Sequence, residues 1–214
     1  MPNILAIETS SELASCALLA GDTVIARSTS GVRTHSQSIL PMVQELLREA
    51  GITVADCDAI AFGAGLPVLP MVTLAAMAEA CRARTGAVDV LAVLDARMNE
   101  VYWAQYRHEG AGWREVAAPA LCAPDAVQPL AADGLAACGN GFAVYPDAFA
   151  GKTFALGALD DILPHARDMA PLAAAALAAG QGVPAAQAQP LYLRNKVAFT
   201  SAERQVINAA KAGA

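Results

Sequence analysis

A chain of 214 residues, 56% of them apolar and only 16% charged, has the bulk for one large domain or two small ones sharing a cleft. A net charge of −6 and a pI near 5, with no basic stripe, argue against a free nucleic-acid binder, whose affinity comes from neutralising phosphates. Five widely spaced cysteines, an odd number without a CxxC pair, read as reduced, buried thiols of a cytosolic protein rather than a disulfide framework.

In chain order, Asn3–Ile7 is an apolar strand that stops at Glu8-Thr9-Ser10-Ser11, too early for a signal peptide. Leu13–Leu19 and Val24–Ala26 flank the turn signal Gly21-Asp22 and predict a hairpin. Thr34 and Gln37 can form a capping box for a helix whose apolar face is Ile39, Leu40, Val43, Leu46, Leu47 and Ala50, stopped by Gly51. Asp58–Phe62 is another strand, and Val68, Leu69, Met71 and Val72 predict one more. Twenty uncharged residues lie between Asp58 and Glu79, long enough to span a bilayer. Gly63, Gly65, Pro67 and Pro70 interrupt them, so a membrane helix is not expected.

The second half opens as the first did. Leu91-Ala92-Val93-Leu94-Asp95 matches Ile4-Leu5-Ala6-Ile7-Glu8, and a further acid (Glu12, Glu100) precedes an alternating strand, a Gly turn and a third strand in each case. In the second copy these are Val101–Tyr106, the turn at Gly110–Gly112 and Trp113–Val116. A later helix is expected from near Asp168 to Gly180, then an apolar segment Pro190–Phe199 and a tail after Ser201. The pattern is an internal duplication and predicts an α/β fold with two similar subdomains, the actin/hexokinase-like (ASKHA, ribonuclease H-like) architecture. The expected boundaries are 1–88 and 89–200, with 201–214 as a tail. In such folds the acid-bearing turn after each first strand faces a shared cleft, where backbone N–H groups and hydroxyls grip phosphates.

The opening Ile4-Leu5-Ala6-Ile7-Glu8-Thr9-Ser10, the run from His35-Ser36-Gln37 to Met42-Val43, Asp58–Gly63, the run Asp95-Ala96-Arg97-Met98-Asn99-Glu100-Val101-Tyr102, and Tyr192-Leu193-Arg194 together resemble the TsaB (YeaZ) family. The resemblance implies a cytoplasmic, non-catalytic subunit of the complex that transfers threonylcarbamoyl to the adenosine beside the tRNA anticodon, of a kind also labelled glycoprotease-like. Its implied partners are a TsaD-like catalytic subunit, which with the other partners holds ATP/ADP and metal, and a TsaE-like ATPase. It implies a homodimer when the chain is alone, with tRNA reached only through the complex and no cofactor of the chain's own.

Two features depart from the family. Its usual Asp is Glu8 here, and the Gly-Pro-Gly-Ser-Phe-Thr-Gly loop with the long helix after it is absent beyond Gly63. Parallel neighbours need a crossover of a dozen or more residues. The reading is therefore that a crossover segment is missing between 61 and 67, the alternative being a genuine loss with reorganisation.

The candidate cleft residues are Glu8, Thr9, Ser10, Asp95, Gly139 and Gly141, with Arg97 and Glu100 beside Asp95 as cleft wall or structural ion pair. Each has a plainer reading as a strand-end turn or tight turn. The candidate partner face is His35, Gln37, Leu40, Pro41, Gln44 and Arg48, opposite the apolar face of the first helix. No catalytic or metal residue is expected. His35, His108 and His165 have no HExxH spacing, and no Gly-x-Ser-x-Gly elbow is present. A small-molecule kinase or ATPase is the alternative function, and a metallopeptidase a weaker one.

Overall fold

The computed structural model describes residues 2–9, 13–30, 35–60, 68–110, 112–184, 187–189, 191 and 193–194. The apolar runs become two four-stranded sheets of the same topology. In the first, β1 (Asn3–Glu8), β2 (Leu13–Ala20), β3 (Thr23–Ser30) and β4 (Ala59–Ile60) lie in the order β3-β2-β1-β4. β1 pairs antiparallel with β2, from Asn3 opposite Ala20 to Glu8 opposite Ser15, and parallel with β4, Ile4 opposite Ala59. In the second, β5 (Asp89–Arg97), β6 (Glu100–Glu109), β7 (Gly112–Cys122) and β8 (Ala136–Cys138) lie in the order β7-β6-β5-β8, with Leu91 opposite Ala137 in parallel register. The expected duplication is thus present as architecture.

Helix α1 (His35–Ala50) lays Val43, Leu46 and Leu47 on Leu5, Cys16 and Leu18 of the first sheet. Helix α5 (Ala166–Ala178) covers that sheet's other face, and α2 (Thr73–Thr85) covers the second sheet with Leu74, Met77 and Cys81. The helices α2 and α5 meet where Ala6, Ala17, Ala76, Ala166 and Ala170 are all buried. Small side chains let backbones approach closely there, which is the structural use of the high Ala content. The outer face of the second sheet is closed by two single-turn helices, α3 (Gly141–Val144) and α4 (Pro146–Phe149), with Phe142 and Phe149 inserted beneath. Gln105, fully buried, exchanges two hydrogen bonds with the backbone of Leu130 at 3.0 and 2.8 Å and pins the connecting loop.

Two expectations are corrected. Residues 68–72 do not form a strand beside β4: Val68 makes one antiparallel bridge to Val183, and helix α2 starts at Thr73. That helix escaped the sequence reading because Ala occupies most of its turns and no apolar face stands out. The last described helix begins at Ala166, close to the expected start near Asp168. Its first free N–H groups are met upstream, Ala166 N donating to Ser15 Oγ at 3.0 Å and Arg167 N to His165 Nδ1 at 3.0 Å. Of the five free cysteines, Cys122 is only half-buried. Among the described residues no helix is long and apolar enough to cross a membrane. The expected crossover gap, the Thr34 cap, the apolar segment 190–199 apart from residues 191, 193 and 194, and the tail lie outside the described residues.

Asp168 sits in the first turn of α5, and burial pushes its carboxyl up to about 6, Arg167 opposing and the Glu79 charge reinforcing the rise. The folded chain therefore keeps a proton that an unfolded chain releases above its ordinary 3.8. Stability contributed at low pH falls between about pH 4 and 6 and stays reduced above. Asp168→Asn should melt about 2–5 °C higher than the parent at pH 7.5 and level with it at pH 4. Equal melting at both pH values would show that the carboxyl ionises normally in the fold.

Candidate functional site

The two copies of the strand-end acid do different work. Glu8, at the end of β1, is only 4% exposed. Its Oε2 accepts a hydrogen bond from Thr73 Oγ1 at 3.2 Å, tying β1 to the first turn of α2. Thr9 is exposed beside it, and Ser10 lies outside the described residues. Behind Glu8 a cavity of about 460 Å³ runs between β1, Ala59, Leu69–Val72 and the α5 residues Met169 and Ala173. Its walls are mostly aliphatic, with the Glu8 carboxylate at one end.

In the second lobe the structure brings Asp95, Gly139 and Gly141 together, and adds Asn140 and Tyr145. Asp95 N donates to Asn140 Oδ1 at 2.9 Å. The Asp95 Oδ1 accepts from Arg97 N at 2.9 Å and from the Tyr145 hydroxyl at 2.8 Å. Burial, then the Asp95 carboxylate, raise the Tyr145 phenol above its ordinary value, so it stays a donor. Both glycines are explained by close approach to β5. A Cβ at Gly139, which has φ +113°, would lie 2.1 Å from Val93 O, and one at Gly141 2.7 Å from Val93 Cγ1. Only a side-chain-free turn can sit so tightly on the strand and still deliver Asn140 to the Asp95 amide.

The β5–β6 turn beyond Asp95 carries three successive residues in left-handed conformation, Arg97, Met98 and Asn99, with φ of 61°, 57° and 60°. Each is disfavoured for a side chain with a Cβ. Arg194 holds the turn from outside. Its Nη2 donates to Ala96 O at 3.0 Å, and its Nη1 reaches Met98 Sδ at 3.2 Å and forms an ion pair with Glu100. Glu100 therefore pairs with Arg194, and Arg97 meets Asp95 through its backbone amide. The clamp role of Arg194 had no signal in the sequence beyond its place in the Tyr192-Leu193-Arg194 pattern, because its partners lie nearly a hundred residues upstream.

Helix α1 presents its outer face away from the first sheet. Leu40 is 66% exposed, and Pro41, Gln44 and Arg48 are exposed with it, while Val43, Leu46 and Leu47 face inward. The side chains of His35 and Gln37 are not among those described. Among the described residues no group of three His, Cys, Asp or Glu side chains could hold a metal.

Gly139→Ala places a methyl group against backbone rather than a movable side chain and should cost more than about 3 kcal/mol. Urea denaturation would show this, or the variant would fail to accumulate as folded protein. A variant as stable as the parent would refute the close approach.

The family model for TsaD, tRNA N6-adenosine threonylcarbamoyltransferase, matches in two stretches, residues 22–65 and 61–204. The tRNA threonylcarbamoyladenosine biosynthesis protein TsaB of Escherichia coli (strain K12) is 35% identical over 223 aligned positions, spanning 92% of this chain and 96% of that relative. The protein of the same name from Haemophilus influenzae is 34% identical over 227 positions, spanning 92% and 95%. The solved structure of YeaZ from Pseudomonas aeruginosa superposes with a TM-score of 0.80 at 35% identity, covering 90% of this chain and all of that one. Since 92% of 214 residues is about 197, the 223 aligned positions leave about 26 of the E. coli relative with no counterpart here. The family match itself breaks at residues 61–65, in the link after β4.

Proposed function

The chain belongs to the TsaB (YeaZ) family, and on that footing we propose that it is a partner subunit in tRNA threonylcarbamoyladenosine biosynthesis, serving the transfer of a threonylcarbamoyl group to the adenosine beside the anticodon. In this reading it is non-catalytic and cytoplasmic, and it activates a TsaD-like catalytic subunit with the help of a TsaE-like ATPase. ATP/ADP and metal belong to those partners, tRNA is reached through them, and the chain alone forms a homodimer. The net charge of −6 fits a subunit that leaves the tRNA phosphates to others. The cleft carboxylates also have partners within the fold, Glu8 on Thr73 and Asp95 on Arg97 N and Tyr145. The cleft residues Glu8, Thr9, Ser10, Asp95, Gly139 and Gly141 are in this reading a vestige of a nucleotide site, kept for the turns they build.

The observation that carries the proposal is the outer face of α1. A 66% exposed Leu40 amid exposed Pro41, Gln44 and Arg48, on a helix whose opposite face is anchored in the core, is a surface left uncovered among the described residues, of the mixed apolar and polar kind that interfaces use. No observation favours the kinase or the metallopeptidase alternative.

Size-exclusion chromatography of this chain mixed with its cognate TsaD-like subunit should give a mixed complex. Leu40→Lys with Gln44→Lys touches only exposed positions, so the double variant should melt within about 2 °C of the parent and bind at least about tenfold more weakly. It should reduce threonylcarbamoyl transfer to tRNA in step. Undiminished pairing would remove α1 as the docking face, and failure of the parent chain to pair would remove the partner-subunit reading.

A further inference from the structure

The β2–β3 and β6–β7 hairpins turn with a glycine at positive φ, Gly21 at 62° and Gly110 at 58°. The β5–β6 hairpin has no glycine to use. Arg97 pairs with Glu100, which leaves Met98 and Asn99 as a two-residue loop. Such loops need positive φ at both central positions, which is why Asn-Gly and Asp-Gly dominate there. The register shift between Asp95 and Arg97 lengthens the β5 side just before the loop, and Arg97 takes a positive φ as well. Among the described residues Arg97, Met98 and Asn99 are the only ones with a side chain in this conformation. The local sequence therefore works against the turn, and contacts from elsewhere must hold it.

Those contacts come chiefly from one side chain. Arg194 donates through Nη2 to Ala96 O at 3.0 Å and pairs through Nη1 with Glu100. Ala96 and Glu100 are the two residues that flank the left-handed run, so one guanidinium spans the base of the turn. Its Nη1 also lies 3.2 Å from Met98 Sδ, inside the run. A planar fork with donors on both arms can bridge two such points at once, which a single ammonium cannot. On the other side of the turn, Asp95 Oδ1 accepts from Arg97 N at 2.9 Å and from the Tyr145 hydroxyl at 2.8 Å.

We propose that Arg194 is a releasable lock on the β5–β6 turn. Engaged, it keeps residues 97–99 left-handed and Arg97 N on the Asp95 carboxylate. Withdrawn, it lets the strained residues return to negative φ, and the Arg97 amide leaves Asp95. The turn thus has two states, selected by a residue nearly a hundred positions downstream, and the lock sets how far the strand-end carboxylate is occupied. The assignment is independent of the partner-subunit reading, since none of these residues is on α1.

Amide hydrogen exchange of the full-length protein, followed residue by residue, tests it. Arg194→Ala should speed exchange at Arg97 by at least about tenfold, while Ala92, buried in the middle of the same strand, exchanges as in the parent. Arg194→Lys keeps the charge but not the fork, and should stay closer to Arg194→Ala than to the parent. Met98→Gly removes a left-handed penalty from the turn itself. Added to Arg194→Ala, it should bring Arg97 exchange back to within about threefold of the parent, because an unstrained turn needs no lock. Unchanged Arg97 exchange in Arg194→Ala, equal acceleration at Ala92, or a double variant as fast as Arg194→Ala would overturn the proposal.

Discussion

The structure depends on how closely α2 and α5 approach each other between the two sheets. Ala6 and Ala17 of the first sheet, Ala76 of α2, and Ala166 and Ala170 of α5 are buried in one cluster with Met169. Larger side chains at that junction would push the sheets apart, and close-packed interiors pass such a displacement on rather than absorb it. Polar ties fix the angle of approach. Ser15 Oγ on β2 accepts from the first amide of α5, and Glu8 on β1 accepts from the Thr73 hydroxyl at the start of α2. Both come from the first sheet, so that sheet sets the position of both central helices.

This arrangement gives the strand-end acids a structural occupation. In a duplicated α/β fold the ends of β1 and β5 are the natural place for a ligand, because the strand termini there leave backbone groups unpaired. Here Glu8 is buried against α2, and Asp95 is held by an amide, a phenol and, through its own N–H, by Asn140. The left-handed turn that follows Asp95 is kept by Arg194, which arrives from the far end of the described chain. A carboxylate already satisfied by two donors is a poorer ligand for a cation than an open one, since binding must first displace those donors. That is the physical content of the partner-subunit proposal at this site.

The sheets were legible in the sequence because their signal is local. An apolar run ending in an acid, followed by a hairpin, recurs at Ile4 and Leu91, and the two runs became corresponding strands with the same neighbours. Helix α1 was legible for the same reason, although Leu40, counted in its apolar face as well as in the candidate partner face, is exposed with Pro41, Gln44 and Arg48. Helix α2 was not, because Ala is compatible with every face, and its burial is decided by what lies opposite. The run Val68–Val72 read as a strand on its composition, yet strand pairing is decided by an available edge, and only Val68 finds one, at Val183. The Arg194 clamp depends on contacts distant in sequence, for which periodicity carries no information. At Gly139 and Gly141 the sequence allowed either a ligand turn or a tight turn, and the distance to Val93 explains both glycines without a ligand.

The short link after β4 tests which parts of this architecture are separable. A parallel crossover normally covers one face of the sheet it serves. In the first sheet α1 lies on one face and α5 on the other, so β1 and β2 are buried on both sides by helices that the link does not contain. The cover of the sheet therefore does not depend on that link. Among the described residues β4 is two residues long, nothing pairs with its outer edge, and the aliphatic cavity beside Ala59 opens along it. The lobe's stability and its outer surface are thus controlled by different segments.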